Sequence, residues 1–319
     1  MDSGARRRGK TKERKAWGLV LMGGGARGFA HIGVLAVLEE NGLVPDIITG
    51  TSMGAIIGGL YAAGLSPARL KEIACGLGLN DYFEKSAASR LFKNPKTFFE
   101  YLMLADYKNR LFNKVRLDKK DAVEAFLRKL AGDVRIESLP IKFACNAVDL
   151  VSGNDVLFDR GKLYRALRAT MTVPILFAAA RREGMVLVDG GVLNNAPVEA
   201  AVKAGADVTV LVDVHRPLRR IPPGRIRTMF QIVQRTLDVA RAAANEEIAR
   251  RADVVLRIPL DVDTFDFSKP GKIIRTGEEV AAAALPMLEK TLAGRPVSRA
   301  GLRPKAGTTS CPSPRHNAG

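Results

Sequence analysis

At 319 residues and 47% apolar content, the chain can bury a sizeable core in one large domain or two modest ones. Its formal net charge is +17, but Met1 to Lys15 and Arg295 to Gly319 contribute +5 each, so the body is only modestly basic. Aromatics total 6% and none interleave the basic stretches, which argues against a nucleic-acid binder, and no stretch reaches the ~18 apolar residues of a membrane span.

Residues 1–15 read as a solvated basic tail. The apolar run behind them is too short for a secretory signal and is interrupted by GGGARG with Arg27 and His31. Trp17 to Met22 fits a buried strand stopped by three glycines. From Gly28, residues Phe29, Ile32, Leu35, Ala36 and Leu38 fall on one side of a helix that Asn41-Gly42 ends. Val44 to Thr49 reads as a second strand, Met53 to Ala63 as a helix closed by Gly64, and Ser66-Pro67 as the cap and first position of another helix.

Residues 77–133 are rich in Lys, Phe and Leu, helical in pattern and without a clear strand, which suggests a helical insertion or lid. Strands are expected over Ile141 to Val148, Met185 to Val188, Val208 to Val214 and Val254 to Ile258. Helices are expected over Tyr164 to Thr170, Pro197 to Ala204, Ile226 to Arg251 and Thr276 to Leu292. Residues 294–319 turn to Pro, Ser, Gly and Arg with no apolar period and read as a second disordered tail. The alternation of strands and helices predicts an α/β fold: three α/β/α layers, with a mostly parallel central sheet, over residues 16–293.

Three short motifs carry the chemistry. Gly50-Thr51-Ser52-Met53-Gly54 matches G-x-S-x-G between a strand and a helix, the setting of a nucleophile elbow. The helix starting at Met53 aims its positive end at the site. Gly23, Gly24, Gly25, Ala26, Arg27 and Gly28 follow the first strand. They match a dinucleotide fingerprint, but that reading needs an acid at the far end of the next strand, and Asp46 falls at its beginning. If both strands are parallel, the glycine loop and Ser52 share one sheet edge, where amides could meet an oxyanion; one such donor is typically worth ~3 kcal/mol of barrier. Asp189, followed by Gly190 and Gly191, ends the Met185 to Val188 strand and is expected at that same edge, as a base for Ser52.

Together, in this order, GGGARG, GTSMG and DGG, with ATMTVPILF (Ala169 to Phe177) ahead of the last, resemble the patatin-like phospholipase family, over about Ala16 to Leu292. The resemblance implies that Ser52 is the nucleophile, Asp189 its base and the residues Gly23 to Gly28 an oxyanion loop. It implies hydrolysis of lipid acyl esters, of phospholipase A or lysophospholipase type, through a Ser-Asp dyad. Thr170, Met171 and Thr172 stand where more serine and alanine are expected, a departure that touches no catalytic position.

Three alternatives stay open. His215 could complete a Ser-Asp-His triad, since the chain order Ser52, Asp189, His215 permits it. The chain could bind lipid or a protein partner without turnover, or it could be a dinucleotide-dependent oxidoreductase. Of the other histidines, His31 is expected to be packed on the first helix, and His316 falls in the tail. Arg27 could hold a phosphate headgroup or pair with a carboxylate. The three scattered cysteines, Cys75, Cys145 and Cys311, offer no metal spacing and suggest a reducing, cytoplasmic setting with no disulfide framework. No metal or cofactor is expected. The expected partners are a lipid substrate and, through the basic ends, anionic membrane.

Overall fold

The computed structural model describes residues 15–76, 122–174, 177, 179–226 and 229–292. Both expected tails, apart from Lys15, therefore lie outside the described residues, as do residues 77–121 of the expected insertion.

Among the described residues, eight strands form one sheet. They are β1 (Trp17–Leu21), β2 (Ile47–Gly50), β3 (Lys142–Asp149), β4 (Asp155–Phe158), β5 (Ala180–Arg182), β6 (Met185–Asp189), β7 (Val208–Asp213) and β8 (Val254–Arg257). The order across the sheet is β5-β6-β3-β2-β1-β7-β8, with β4 also paired to β3. The five strands β3, β2, β1, β7 and β8 are mutually parallel. β1 and β2 are buried at every position, as strands covered on both faces must be, which explains their unbroken apolar sequence.

The helices among the described residues are α1 (Ala30–Glu40), α2 (Ser52–Ala62), α3 (Pro67–Gly76), α4 (Ala122–Ala131), α5 (Leu163–Thr170), α6 (Val198–Lys203), α7 (Met229–Ala249) and α8 (Pro270–Thr291). α1 packs along α8, close enough that a Cβ on Gly33 or Gly277 would strike the facing backbone. α8 starts a turn and a half before the expected Thr276 because Pro270 supplies the first-turn position that needs no N–H. Among the described residues no helix is long and apolar enough to cross a membrane. Cys145 is a buried free thiol, whereas Cys75 is disulfide-bonded.

One strand direction also needs correcting. β6 is antiparallel to β3, so its C-terminal end does not reach the carboxyl edge in the way that β1 and β2 do. Asp189 arrives there from the opposite side. β3 outruns β2, with Cys145 opposite Gly50, and Asp189 pairs with Ala147, two residues further along. The carboxylate therefore stops at the level where Ser52 begins.

Candidate active site

β2 ends at Gly50 and α2 begins at Ser52, so the chain turns from strand to helix over one residue. Ser52 has φ +53°, a left-handed conformation that a residue with a Cβ adopts only when its surroundings impose it. A Cβ on Gly50 would lie 2.8 Å from the Ala55 nitrogen, and one on Gly54 would strike the Leu21 carbonyl, so bare backbone at both positions lets the head of α2 press onto the sheet. The Ser52 N–H donates to the Thr170 hydroxyl at 2.9 Å. Thr170, one of the residues that depart from the family pattern, thus grips the backbone of the strand-to-helix turn from the end of α5.

Asp189 is 6% exposed. Its Oδ1 accepts the Gly191 N–H at 2.8 Å, and its own N–H donates to the Thr172 carbonyl at 2.8 Å. Burial pushes its pKa above the usual carboxylate range, opposed by a hydrogen bond from the Ser52 side chain, the Gly191 amide and the field of Arg241 on α7. A Cβ on Gly190 would fall 2.6 Å from Asn146 Oδ1, so the turn after Asp189 is a close approach to β3.

The glycine loop faces both residues. A Cβ on Gly23 would strike Asn195 Oδ1 and lie 3.3 Å from the Ser52 Cβ. Gly25 has φ +56°, and a Cβ there would collide with the Thr264 carbonyl. The loop amides are not equivalent. Gly23 N–H donates to Asn195 O at 3.0 Å, Ala26 N–H to Thr264 O at 2.8 Å and Arg27 N–H to Gly24 O at 3.3 Å, while Gly28 lies within the 3-10 turn Gly25–Phe29. The Gly24 and Gly25 amides meet no acceptor among the described residues, nor does the Met53 amide at the head of α2.

A buried polar web, which the motifs alone do not reveal, fixes these parts. Thr51 Oγ1 donates to Asn146 Oδ1 at 2.7 Å, and Asn146 Nδ2 donates to Asp155 Oδ1 at 2.8 Å and to Asn194 O at 2.9 Å. Asn195 Nδ2 donates to Gly23 O at 3.1 Å, so Asn194 and Asn195 tie the DGG turn to both β3 and the glycine loop. The doubled asparagine was the one visible sign of this role; Asn146 and Thr264 had none.

His215 is held elsewhere. Its Nδ1 pairs with Asp213 Oδ1 at 3.2 Å, and Arg257 Nη1 reaches Asp213 Oδ2 at 3.3 Å. Among the described residues no hydrogen bond joins His215 to Asp189 or Ser52. His31 is fully buried on α1, with Nε2 2.8 Å from the Met22 carbonyl just before the loop. Arg27 donates to Thr264 Oγ1 at 3.2 Å and to the Gly24 carbonyl at 3.5 Å, and no carboxylate among the described residues lies within ion-pair distance of it. Asp46 accepts the Trp17 N–H at 2.9 Å at the amino end of β1, the wrong edge for a ribose. No cluster of metal ligands occurs among the described residues.

The family model described as patatin-like phospholipase matches residues 19–202. The chain belongs to the patatin-like phospholipase family. An uncharacterised NTE family protein of Mycobacterium tuberculosis is 37% identical over 209 residues, 65% of this chain and 51% of that protein. Lysophospholipase NTE1 of Candida albicans is 30% identical over 293 residues, 84% of this chain and 20% of its own length. This patatin-like chain thus spans about half the length, or less, of the curated relatives it matches. Among solved structures, VipD from Legionella pneumophila superposes with a TM-score of 0.44 at 14% identity, covering 86% of this chain and 67% of that one.

Proposed function

We propose that this member of the family is a serine lipid acyl hydrolase of phospholipase A or lysophospholipase type, working through Ser52 and Asp189. The observation that carries the reading is the meeting, at one sheet edge, of a strained serine, a buried carboxylate and two open glycine amides. Kinship with a protein named a lysophospholipase supports the lipid ester as substrate.

In this reading Asp189 takes the Ser52 proton as the hydroxyl oxygen attacks the ester carbonyl. Burial makes the carboxylate a stronger base than an aspartate in water. The Gly24 and Gly25 amides, with Met53, hold the oxyanion, while Gly23, Ala26 and Arg27 shape the loop through the bonds they have already made. The leaving alkoxide takes the proton from Asp189, leaving an acyl-Ser52 ester. Water then attacks that ester, losing its proton to Asp189, and the fatty acid leaves as Ser52 recovers its own. Arg27, cationic beside the site and without an ion-pair partner among the described residues, is suited to a phosphate headgroup.

The test is hydrolysis of a lysophospholipid and of a soluble fluorogenic ester by wild type, Ser52→Ala, Asp189→Asn and His215→Ala. The first two variants lose turnover and the third keeps it. Loss in His215→Ala would transfer the role of base to a triad, and an inert wild type would leave a binding role.

A further inference from the structure

β3 does not stop at the level of the site. Asp189 lies opposite Ala147, and β3 runs on through Asp149 before turning at Leu150. Three residues of extended chain carry that turn about 10 Å beyond the level of Asp189. β5 and β6 rise beside it, because Arg181 pairs with Val186 and the Leu150 N–H donates to Val186 O at 2.9 Å. Arg181, Val186 and Leu150 thus form one row above the carboxyl edge.

The tip of this wall is built firmly. Asp149 Oδ1 accepts from Val151 N at 3.1 Å and Val186 N at 2.9 Å, while Oδ2 accepts from Ser152 N at 3.1 Å and Ser152 Oγ at 2.7 Å. Such a turn favours Asp, Ser, Gly and Asn, and this one has Asp149, Ser152, Gly153 and Asn154. Between them stand Leu150 and Val151, 58% and 68% exposed. Single exposed apolar residues are ordinary. Two adjacent ones, presented by a pinned turn above the site, are an unfilled apolar surface. Beside them, Arg182 pairs with Glu183 at 2.9 Å, and Arg181 is exposed without an ion pair among the described residues.

We propose that this tip docks the protein on a phospholipid bilayer, with Leu150 and Val151 entering the apolar boundary and Arg181 meeting an anionic headgroup. The occupant follows from the pairing of apolar tip and cation at one height, which matches the layering of a bilayer surface. Docking there turns the Ser52 edge toward the membrane. The purpose of the tip rests on the lipid-hydrolase reading; its binding does not.

The test begins with Val151→Trp, in a chain whose natural tryptophan, Trp17, is buried. Its emission shifts to the blue on adding phosphatidylcholine vesicles containing phosphatidylserine, whereas wild-type emission does not move. Leu150→Asp/Val151→Asp loses about tenfold or more in vesicle co-sedimentation, with hydrolysis of vesicle lipid falling in parallel, and keeps its turnover of a soluble short-chain ester. Arg181→Ala weakens binding to vesicles containing phosphatidylserine and leaves binding to pure phosphatidylcholine unchanged. The proposal is overturned if wild type does not sediment with vesicles, if the Val151→Trp emission stays unshifted, or if the double aspartate variant binds as wild type does. A wild-type dimer that this variant converts to monomer would assign the tip to a second copy instead. A wild type inert on every ester, with the Val151→Trp shift intact, would sink the hydrolase reading and leave the docking tip standing.

Discussion

Thr170 accepts the backbone N–H of Ser52 at 2.9 Å, and two residues later the Thr172 carbonyl accepts the N–H of Asp189 at 2.8 Å. One short turn at the end of α5 therefore holds both halves of the proposed dyad. Thr172 is fixed in its own right, its hydroxyl accepting from Arg168 Nη1 at 2.6 Å and donating to Arg168 O at 2.8 Å. Thr170→Val keeps the shape of the side chain and strands the Ser52 N–H, a loss of about 1–3 kcal/mol. We expect a melting point lower by a few degrees and kcat reduced about tenfold with KM little changed. Thr170→Ser should restore both, as thermal melts and steady-state kinetics would show.

Asp189 couples activity to stability. In the proposed mechanism only the ionised carboxylate accepts the serine proton, so its raised pKa should place the acid limb of kcat/KM above the ordinary carboxylate value of ~3.9. Folding works the other way. The folded state holds this proton more tightly than the unfolded chain, so the contribution favours folding below the unfolded pKa and is lost as pH rises through the folded one. At neutral pH the buried charge is a burden. Asp189→Asn should lower turnover about a hundredfold or more, yet melt higher than wild type at pH 7, with the difference vanishing in acid. Paired pH–rate and pH–melting series check both signs.

His31 has the opposite linkage. Burial pushes its pKa down from 6.5 to about 4, and its Nδ1 has no partner among the described residues, so the ring stays neutral with Nε2–H on the Met22 carbonyl. As pH falls below 6.5, the unfolded chain takes up a proton that the folded protein refuses, and stability is lost until about pH 4. That step is worth about 3 kcal/mol. His31→Gln, which can still donate to Met22, should flatten the pH dependence of denaturant midpoints across this window; an unchanged slope would place the acid sensitivity elsewhere.

β1 and β2 were legible because they are buried at every position and so read as short apolar runs closed by glycine. β4 and β5 were not. Asp155–Phe158 and Ala180–Arg182 are short, partly exposed strands whose residues show neither an apolar run nor clean alternation. Nor could the sequence show that β6 runs antiparallel, because strand direction depends on how residues 142–189 fold back on themselves. Asp189 was nevertheless found by its glycines, which a close approach requires whatever the strand direction. Asn146 escaped notice because its work is done by an amide group that could equally face solvent, and Thr170 stood out only as a departure from the family pattern, not as a partner of the Ser52 backbone. His215 drew attention by its order in the chain, and its actual partner, Asp213, lies only two residues away.

The central claim is that Ser52 is activated by Asp189 and by no histidine. Labelling with a fluorophosphonate, followed by intact-mass and peptide mass spectrometry, tests it most directly. One label should appear on Ser52 in wild type and in His215→Ala at comparable rates, be absent from Ser52→Ala and form at least about a hundredfold more slowly in Asp189→Asn. Wild-type labelling rates in Asp189→Asn, or loss of labelling in His215→Ala, would contradict the account.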